Sequence, residues 1–342
     1  MKICMVSMHG CIRVFKQAYV LQKLGHEVHH CAMRTSFGYE KYHTFSLYNT
    51  EAEGIRLIKH MARTCDIFHV HNEPDWIVSM VRKATGKPII YDVHDLEHVR
   101  TGEPPDEHES RAFQDCDGIV HTTEATKASA EAAHDIKNKP NCVLPPAVPA
   151  DFLPSDQIAN NCCWGTLVYE GGISAYEMTP SSNGGKPMPS FRYYLPIIKP
   201  FLKAGYQPYF YAGNPTDAGA YEHEGAVVYG HLPWNVMMRA LPMFEIGFVG
   251  AVVDSPIMQQ SISNKFFEYV ACGVVPVICL SGQASAFANQ FDLAIDLDVN
   301  KGPESISRHE VVKKKQNLMA VRKDIVMENY ITKVVNLYKA VM

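Results

Sequence analysis

A chain of 342 residues with 46% hydrophobic content can bury a sizeable core, and a prior of about 150 residues per domain divides it into two. The formal net charge of −4 gives no global attraction for nucleic acid and leaves a local basic face as the electrostatic route to one. The ten cysteines form no C-x-x-C pair and often sit inside apolar runs such as Ile3-Cys4-Met5-Val6, which fits buried reduced thiols in a cytoplasmic protein rather than a disulfide framework. Met1-Lys2 and the short apolar run after it are broken by His9-Gly10, which matches neither a signal peptide nor a membrane span, and no other apolar run is long enough to cross a bilayer.

Lys2 to Met8 reads as a buried strand and His9-Gly10 as a tight turn. Ile12 to Leu24 reads as a helix with Val14, Ala18 and Leu21 on one face, stopped by Gly25 before a strand from His26 to Cys31. Strand and helix then alternate. Ile55, Ile58 and Ala62 form a helical stripe before the strand Asp66–His71; Ile77, Met80, Val81 and Ala84 form another before Lys87–Asp92; strand Gly118–His121 and helix Glu124–Ala133 follow. Such alternation predicts a doubly wound α/β domain, in which strand ends share one sheet edge. Polar residues gather at those ends: His69, His71, Asn72 and Glu73; Asp92, His94 and Asp95; His121, Thr122, Thr123 and Glu124. His29, His30 and His69 read singly as hydrogen-bonded structural histidines. His71 and His94 lack short metal-ligand spacing, and neighbours in His29-His30-Cys31 point to opposite faces of a strand, so no metal site is expected.

Pro145-Pro146-Ala147-Val148-Pro149 and Pro154 end the first domain, placing it at 1–150. The pattern restarts with strand Thr166–Tyr169 and the small-residue loop Glu170-Gly171-Gly172-Ile173-Ser174, which permits close backbone approach to a ligand. Tyr176 to Ser190 reads as a long connection, either a flap or a variable surface excursion. Next come helix Phe191–Ala204, strand Pro208–Ala212 ending at Gly213-Asn214-Pro215, strand Val227–Gly230, a helix from Trp234 to Leu241, and the buried strand Phe244–Val249. Gly250–Ile262 reads as irregular. Ser263 is placed to cap a helix carrying Phe267, Val270 and Ala271, which Gly273 stops before strand Val274–Leu280. Lys265 and Glu268 leave one face of that helix near its N-terminus, an arrangement that suits a nucleotide's phosphate and ribose, or simply forms an (i, i+3) ion pair. Asp296-Leu297-Asp298 has the D-x-D form of a metal motif but ends a predicted strand, and is assigned to structure. A final helix carries Ile331, Val334, Val335 and Tyr338 on one face.

Tyr91-Asp92-Val93-His94-Asp95, the Gly171-Gly172 loop and Asn264-Lys265-x-x-Glu268-Tyr269-x-Ala271-x-Gly273-x-x-Pro276-Val277 together resemble the retaining glycosyltransferase family 4 (glycosyltransferase group 1) of GT-B fold, over nearly the whole chain. The resemblance implies an α/β fold of two Rossmann-like doubly wound domains facing across a cleft. An acceptor-binding domain would span 1–150, a nucleotide-sugar-binding domain 151–325, and a helix at 326–342 would pack back on the first domain. It implies Glu268 on the ribose hydroxyls, His94 near the donor sugar, and the amides of Gly171 and Gly172 at the diphosphate; Asn264 opens the last of these motifs, and the Gly10 loop after the first strand is a further part of the resemblance.

Three features depart from the family pattern. Gln260 stands where a glutamate eight positions before Glu268 is usual; no Arg-Lys pair follows the glycine loop in register, leaving Arg192, Lys186 and Lys265 as candidates; and the Gly10 loop is short, with Arg13 beside it as a phosphate contact or a solvated helix-end charge. The expected function is glycosyl transfer from a UDP- or GDP-sugar with retention, without an obligatory metal or cofactor, with His94, Lys265 and Gln260 at the reacting centre. A sugar-nucleotide epimerase or phosphorylase, and a sugar-nucleotide-binding protein without catalysis, are the rival readings. The acceptor is left as glycan, lipid, small molecule or nucleic acid, and the oligomeric state is not legible.

Overall fold

The alternation of short apolar strands with amphipathic helices builds two parallel sheets in the computed structural model, which describes residues 1–34, 44–72, 74–179, 188–213, 215–298 and 301–342. Glu73, Lys186, Asn214 and the 180–187 part of the long connection lie outside the described residues. The chain divides into two units, Met1–Pro149 with Val326–Met342, and Ala150–Ile325.

The first unit runs β1 (Lys2–His9), α1 (Ile12–Lys23), β2 (Glu27–Arg34), β3 (Thr44–Leu47), α2 (Glu51–Met61), β4 (Ile67–His71), α3 (Trp76–Ala84) and β5 (Ile89–Val93). It continues through α4 (Glu97–Thr101), α5 (Glu107–Asp115), β6 (Gly118–His121), α6 (Glu124–Ala133) and β7 (Asn141–Val143). The seven strands lie in the order β3-β2-β1-β4-β5-β6-β7, every pair parallel, with Val6 opposite both Cys31 and Val70. β4, β5 and β6 are buried at every residue, as strands covered on both faces are. Side chains of Thr50, Asp106 and Thr123 accept from the third residue beyond them and cap α2, α5 and α6.

The second unit contains α7 (Asp156–Asn160), β8 (Cys163–Gly171), β9 (Met178–Thr179), β10 (Met188–Pro189), α8 (Leu195–Lys203), β11 (Gln207–Ala212), α9 (Ala218–His223) and β12 (Val227–Gly230). After these come α10 (Trp234–Ala240), β13 (Phe244–Gly250), α11 (Pro256–Gln260), α12 (Asn264–Cys272), β14 (Val275–Cys279), α13 (Gly282–Asn289), β15 (Ile295–Asp296) and α14 (Arg308–Val321). Its parallel sheet has the order β12-β11-β8-β13-β14-β15, while β9 and β10 pair antiparallel apart from it. α15 (Met327–Val341) belongs to the first unit: Val326 bridges Val148, the Met327 amide donates to Val148 O at 3.0 Å, and Ile331, Val334, Leu337 and Tyr338 are buried.

The doubly wound α/β architecture is therefore present in both units, and each sheet reverses its winding once, between β1 and β4 and between β8 and β13. Carboxyl ends of strands at such reversals open crevices for ligands. Some local expectations are corrected. The stretch read as irregular holds α11; α8 starts at Leu195 rather than Phe191, with Pro196 in its first turn, where no helical N–H is needed. α14 escaped notice because only Val311 and Leu318 of its fourteen residues are buried. All ten cysteines are free thiols, but Cys163 is exposed.

Gly273 ends α12 with φ 78°, and a Cβ there would stand 2.6 Å from the Ala159 carbonyl oxygen. Gly273→Ala is expected to destabilise the protein by about 1–3 kcal/mol in urea unfolding. Gly86→Ala, with nothing within 4 Å of the added carbon, is the control expected to leave the midpoint in place.

Candidate active site

At the β8–β13 reversal the second unit gathers positive charge. β8 ends at Gly171, whose φ of 127° is one that side-chain-bearing residues rarely adopt. A Cβ at Gly171 would lie 3.0 Å from Lys265 Cε, and one at Gly172 would lie 3.0 Å from Arg192 Cδ and Nη1. The bare backbone of this loop thus lets two cations, from α12 and from the segment before α8, lie against it. Lys265 Nζ also stands 5.2 Å from the Tyr169 ring centroid. Among the described residues neither Lys265 nor Arg192 forms an ion pair.

Tyr169, Gly172, Arg192, Ser263, Lys265 and Ser281 help to line a cavity of about 100 Å³, with Gly250 from the end of β13 at its edge. Ser263 occupies the N-cap position of α12 as the sequence suggested, but its side chain makes no capping bond: among the described residues its buried hydroxyl has no hydrogen-bond partner, and the residue lines this cavity. Two cations without ion-pair partners among the described residues, a spare hydroxyl and the N-terminus of α12 together are groups that favour negative charge.

Glu268, one turn along α12, is 3% exposed and accepts a 2.8 Å hydrogen bond from Trp234 Nε1. Lys265 and Glu268 do not form the surface ion pair, since Lys265 lies over Tyr169 while Glu268 meets Trp234. Asn264 is the first residue of α12, and Gln260 closes α11 half-buried. Asp296 accepts from Ser285 Oγ at 2.5 Å and Asp298 pairs with Lys301 at 3.6 Å, so each aspartate of the D-x-D stretch has a local structural partner.

In the first unit the polar strand ends organise around Asp92, which is wholly buried. It accepts from Arg13 Nε at 3.0 Å and from Gln17 Nε2 at 2.6 Å, with His69 Nε2 at 3.2 Å and His71 Nδ1 at 3.5 Å. Burial opposes the charge, but Arg13 beside it and the His69 hydrogen bond hold the carboxyl well below its usual range. Arg13 is therefore neither a phosphate contact nor a solvated charge; it is 3% exposed and also donates to Leu144 O at 3.1 Å.

His94 follows β5 with its Nε2 3.1 Å from His71 Nδ1, and its amide donates to Asn72 Oδ1 at 2.7 Å. Asn72 Nδ2 in turn donates to Asp95 O at 2.7 Å, so one amide side chain clamps the strand tip that carries His94. Burial brings His94 down to about 4 against the pull of Asp92, leaving it a neutral imidazole near pH 7. Gly10 lies at the carboxyl end of β1, its amide 3.3 Å from Arg34 O.

Residues 13–152 match the sequence profile of Glycosyltransferase Family 4. The whole chain is similar in structure to a glycosyltransferase from Rickettsia africae ESF-5, with TM-score 0.70 at 10% identity over 99% of this chain and 98% of the other. It is similar to Alr3699/HepE of Anabaena, seen in complex with UDP and glucose, with TM-score 0.68 at 10% identity over 98% of this chain and 99% of that one. An α-glucosyltransferase bound to UDP and a 13-mer DNA containing an HMU base gives TM-score 0.67 at 12% identity over 99% of each chain. No curated protein sequence matches the chain. The chain thus has the GT-B fold of these glycosyltransferases, and its N-terminal part carries the Glycosyltransferase Family 4 sequence pattern.

Of the residues expected in the site, Gly171, Gly172, Arg192 and Lys265 converge in the second unit, with Asn264 and Glu268 on the helix that carries Lys265. Gln260 is on the preceding helix and Ser261, one residue on, reaches the cavity lining; Gly10 and His94 are at strand ends of the first unit. Ser263, Tyr169, Trp234 and Asn72 were not anticipated in these roles. Only Trp234 carried a signal, a buried-type side chain directly after Pro233 at a helix start.

His94 and His121 are both brought down to about 4 by burial, and burial lowers His71 well below the ordinary histidine value. Unfolded histidines take up protons below about pH 6.5, so beneath that pH the unfolded chain binds more protons than the folded one. Stability present above pH 6.5 is expected to be lost as pH falls toward 4, seen as a falling Tm in melts from pH 7.5 to 4.5. His121→Gln should flatten that slope, and a wild-type Tm independent of pH would contradict the assignment.

Proposed function

We propose that the chain transfers a sugar from a UDP-sugar to an acceptor hydroxyl, with retention at the anomeric carbon and without an obligatory metal. The observation that carries this reading is the pair of cations, Lys265 and Arg192, that have no ion-pair partner among the described residues and lie against the Gly171-Gly172 backbone beside the N-terminus of α12. The choice of UDP draws support from two of the similar structures, both described as UDP complexes.

In this reading Lys265, Arg192 and the amides of Gly171, Gly172 and α12 hold the diphosphate. The bond from the anomeric carbon to the diphosphate oxygen breaks with its electron pair going to the phosphate. The acceptor oxygen forms the new bond on the same face, and its proton passes to the departing diphosphate. Fixed cations stabilise the charge that develops on the leaving group, the task a metal ion performs in other transferases. Glu268, oriented by Trp234, takes the ribose hydroxyls; Asn264 and Gln260 flank the donor; the neutral His94 hydrogen-bonds a hydroxyl of the sugar, and Gly10 borders the acceptor. The acceptor is a glycan, lipid, small molecule or nucleic acid, to be separated by an acceptor screen.

A thermal-shift screen over nucleoside diphosphates and their sugars is expected to give stabilisation by UDP and a UDP-sugar, and product NMR to give the donor's anomeric configuration. Stabilisation by none of them sinks the reading, while stabilisation without hydrolysis or transfer assigns the chain to sugar-nucleotide binding alone, the outcome that Gln260 in place of a carboxylate would favour. Lys265→Ala and Arg192→Ala are each expected to lower kcat by about 100-fold or more with the fold intact by circular dichroism. Trp234→Phe is expected to weaken UDP binding about tenfold, the worth of one hydrogen bond to a charged group, and unchanged UDP affinity would remove Glu268 from the ribose.

A further inference from the structure

On the flank of the first unit, three helices converge their polar side chains on a second buried carboxylate. Glu109 of α5 has no exposed surface, and its Oε1 lies 2.6 Å from His98 Nδ1 of α4 and 2.8 Å from His134 Nε2 at the C-cap of α6. The three donor atoms all lie within 4.8 Å of one another. The other oxygen, Oε2, accepts from the His98 amide at 2.9 Å, and the His134 ring stacks on Phe113 with centroids 4.3 Å apart, so carboxylate and imidazole are both held in orientation.

The superficially similar group of His69, His71 and Asp92 is unsuited to a cation, because Arg13 already places a guanidinium nitrogen 2.9 Å from Asp92 and Tyr338 Oη lies 2.6 Å from His69 Nδ1. Around Glu109 the ion-pair partners among the described residues are His98 and His134 alone. Both imidazoles can free these nitrogens for a metal by moving their one proton to the other ring nitrogen. Two imidazole nitrogens and one carboxylate oxygen are a donor set of zinc, whose bond lengths of about 2.0–2.2 Å set tetrahedral edges near 3.3 Å. The present N–O separations need to open by only about 0.5–0.7 Å to reach that edge.

We infer that His98, Glu109 and His134 form a zinc site that ties α4, α5 and the end of α6 together, with water completing the tetrahedron. The site belongs wholly to the first unit and does not depend on the proposed transfer. Sequence spacing concealed it, since the ligands come from three helices and form no short motif. α4 begins three residues after His94, so the ion would also anchor the chain leaving the β5 tip.

The test uses the full chain, stripped with a chelator under reducing conditions, reloaded and passed through gel filtration. The expected result is one zinc per chain by elemental analysis and a raised Tm, with binding weakened at least about tenfold in His98→Asn and in His134→Gln. Cobalt in place of zinc should give tetrahedral visible absorption without a thiolate charge-transfer band, a readout on the wild type that needs no variant to fold. No retained zinc, a thiolate band, or undiminished affinity in variants that remain folded by circular dichroism would overturn the site, the last two by placing the metal elsewhere, as on the cysteines.

Discussion

The first unit depends on a buried charge that is never left alone. Asp92 sits in the middle of a parallel sheet where an isolated carboxylate would be costly, and it is tolerable there because Arg13, Gln17 and His69 surround it. Those partners come from α1 and β4, and two of them have a further bond outward: Arg13 to Leu144 and His69 to Tyr338 of α15. One carboxylate therefore couples the opening helix, the central strands, the segment after β7 and the last helix. The cost of desolvating an ion is offset only if all of these elements are in place, which makes the interaction more a condition on assembly than a source of net stability.

The second unit uses charge in the opposite way. Lys265 and Arg192 are brought to the end of β8 and left without carboxylate partners among the described residues. In the first unit a cation is spent on holding the fold, and in the second two lie against a glycine loop beside a helix N-terminus. Each unit has one such winding reversal, which leaves strand ends uncovered, and local sequence decides which side chains gather there.

Much of the architecture was legible because strands and amphipathic helices carry period 2 and period 3.6 patterns, and because Gly25 and Gly273 mark helix ends with left-handed residues. β6, α6 and β12 fall where the pattern put them, whereas α5 and α14 did not announce themselves, having few buried apolar residues. At the candidate site the glycine loop and Lys265 were readable as a motif, but the placement of Arg192 against Gly172 was not, because it depends on the path taken between β8 and α8. Arg13 shows the complementary limit: a charged residue at a helix start looks solvated until the carboxylate that buries it, 79 positions away in sequence, is seen. Ser263 shows another, since a side chain that caps its helix and one that lines a cavity instead occupy the same place in a sequence pattern.

The membership of α15 in the first unit has a consequence for how the chain is made. Synthesis of the second unit takes place entirely within an unfinished first unit, because Tyr338, the partner of His69, and Leu337, which packs where a Cβ on Gly118 would stand, come after Ile325. During translation the unit that begins first is completed last, and the later-made unit is the first that can close its core. Until then β6 carries an uncovered apolar face on a growing polypeptide, which is where a nascent-chain chaperone would find its binding surface.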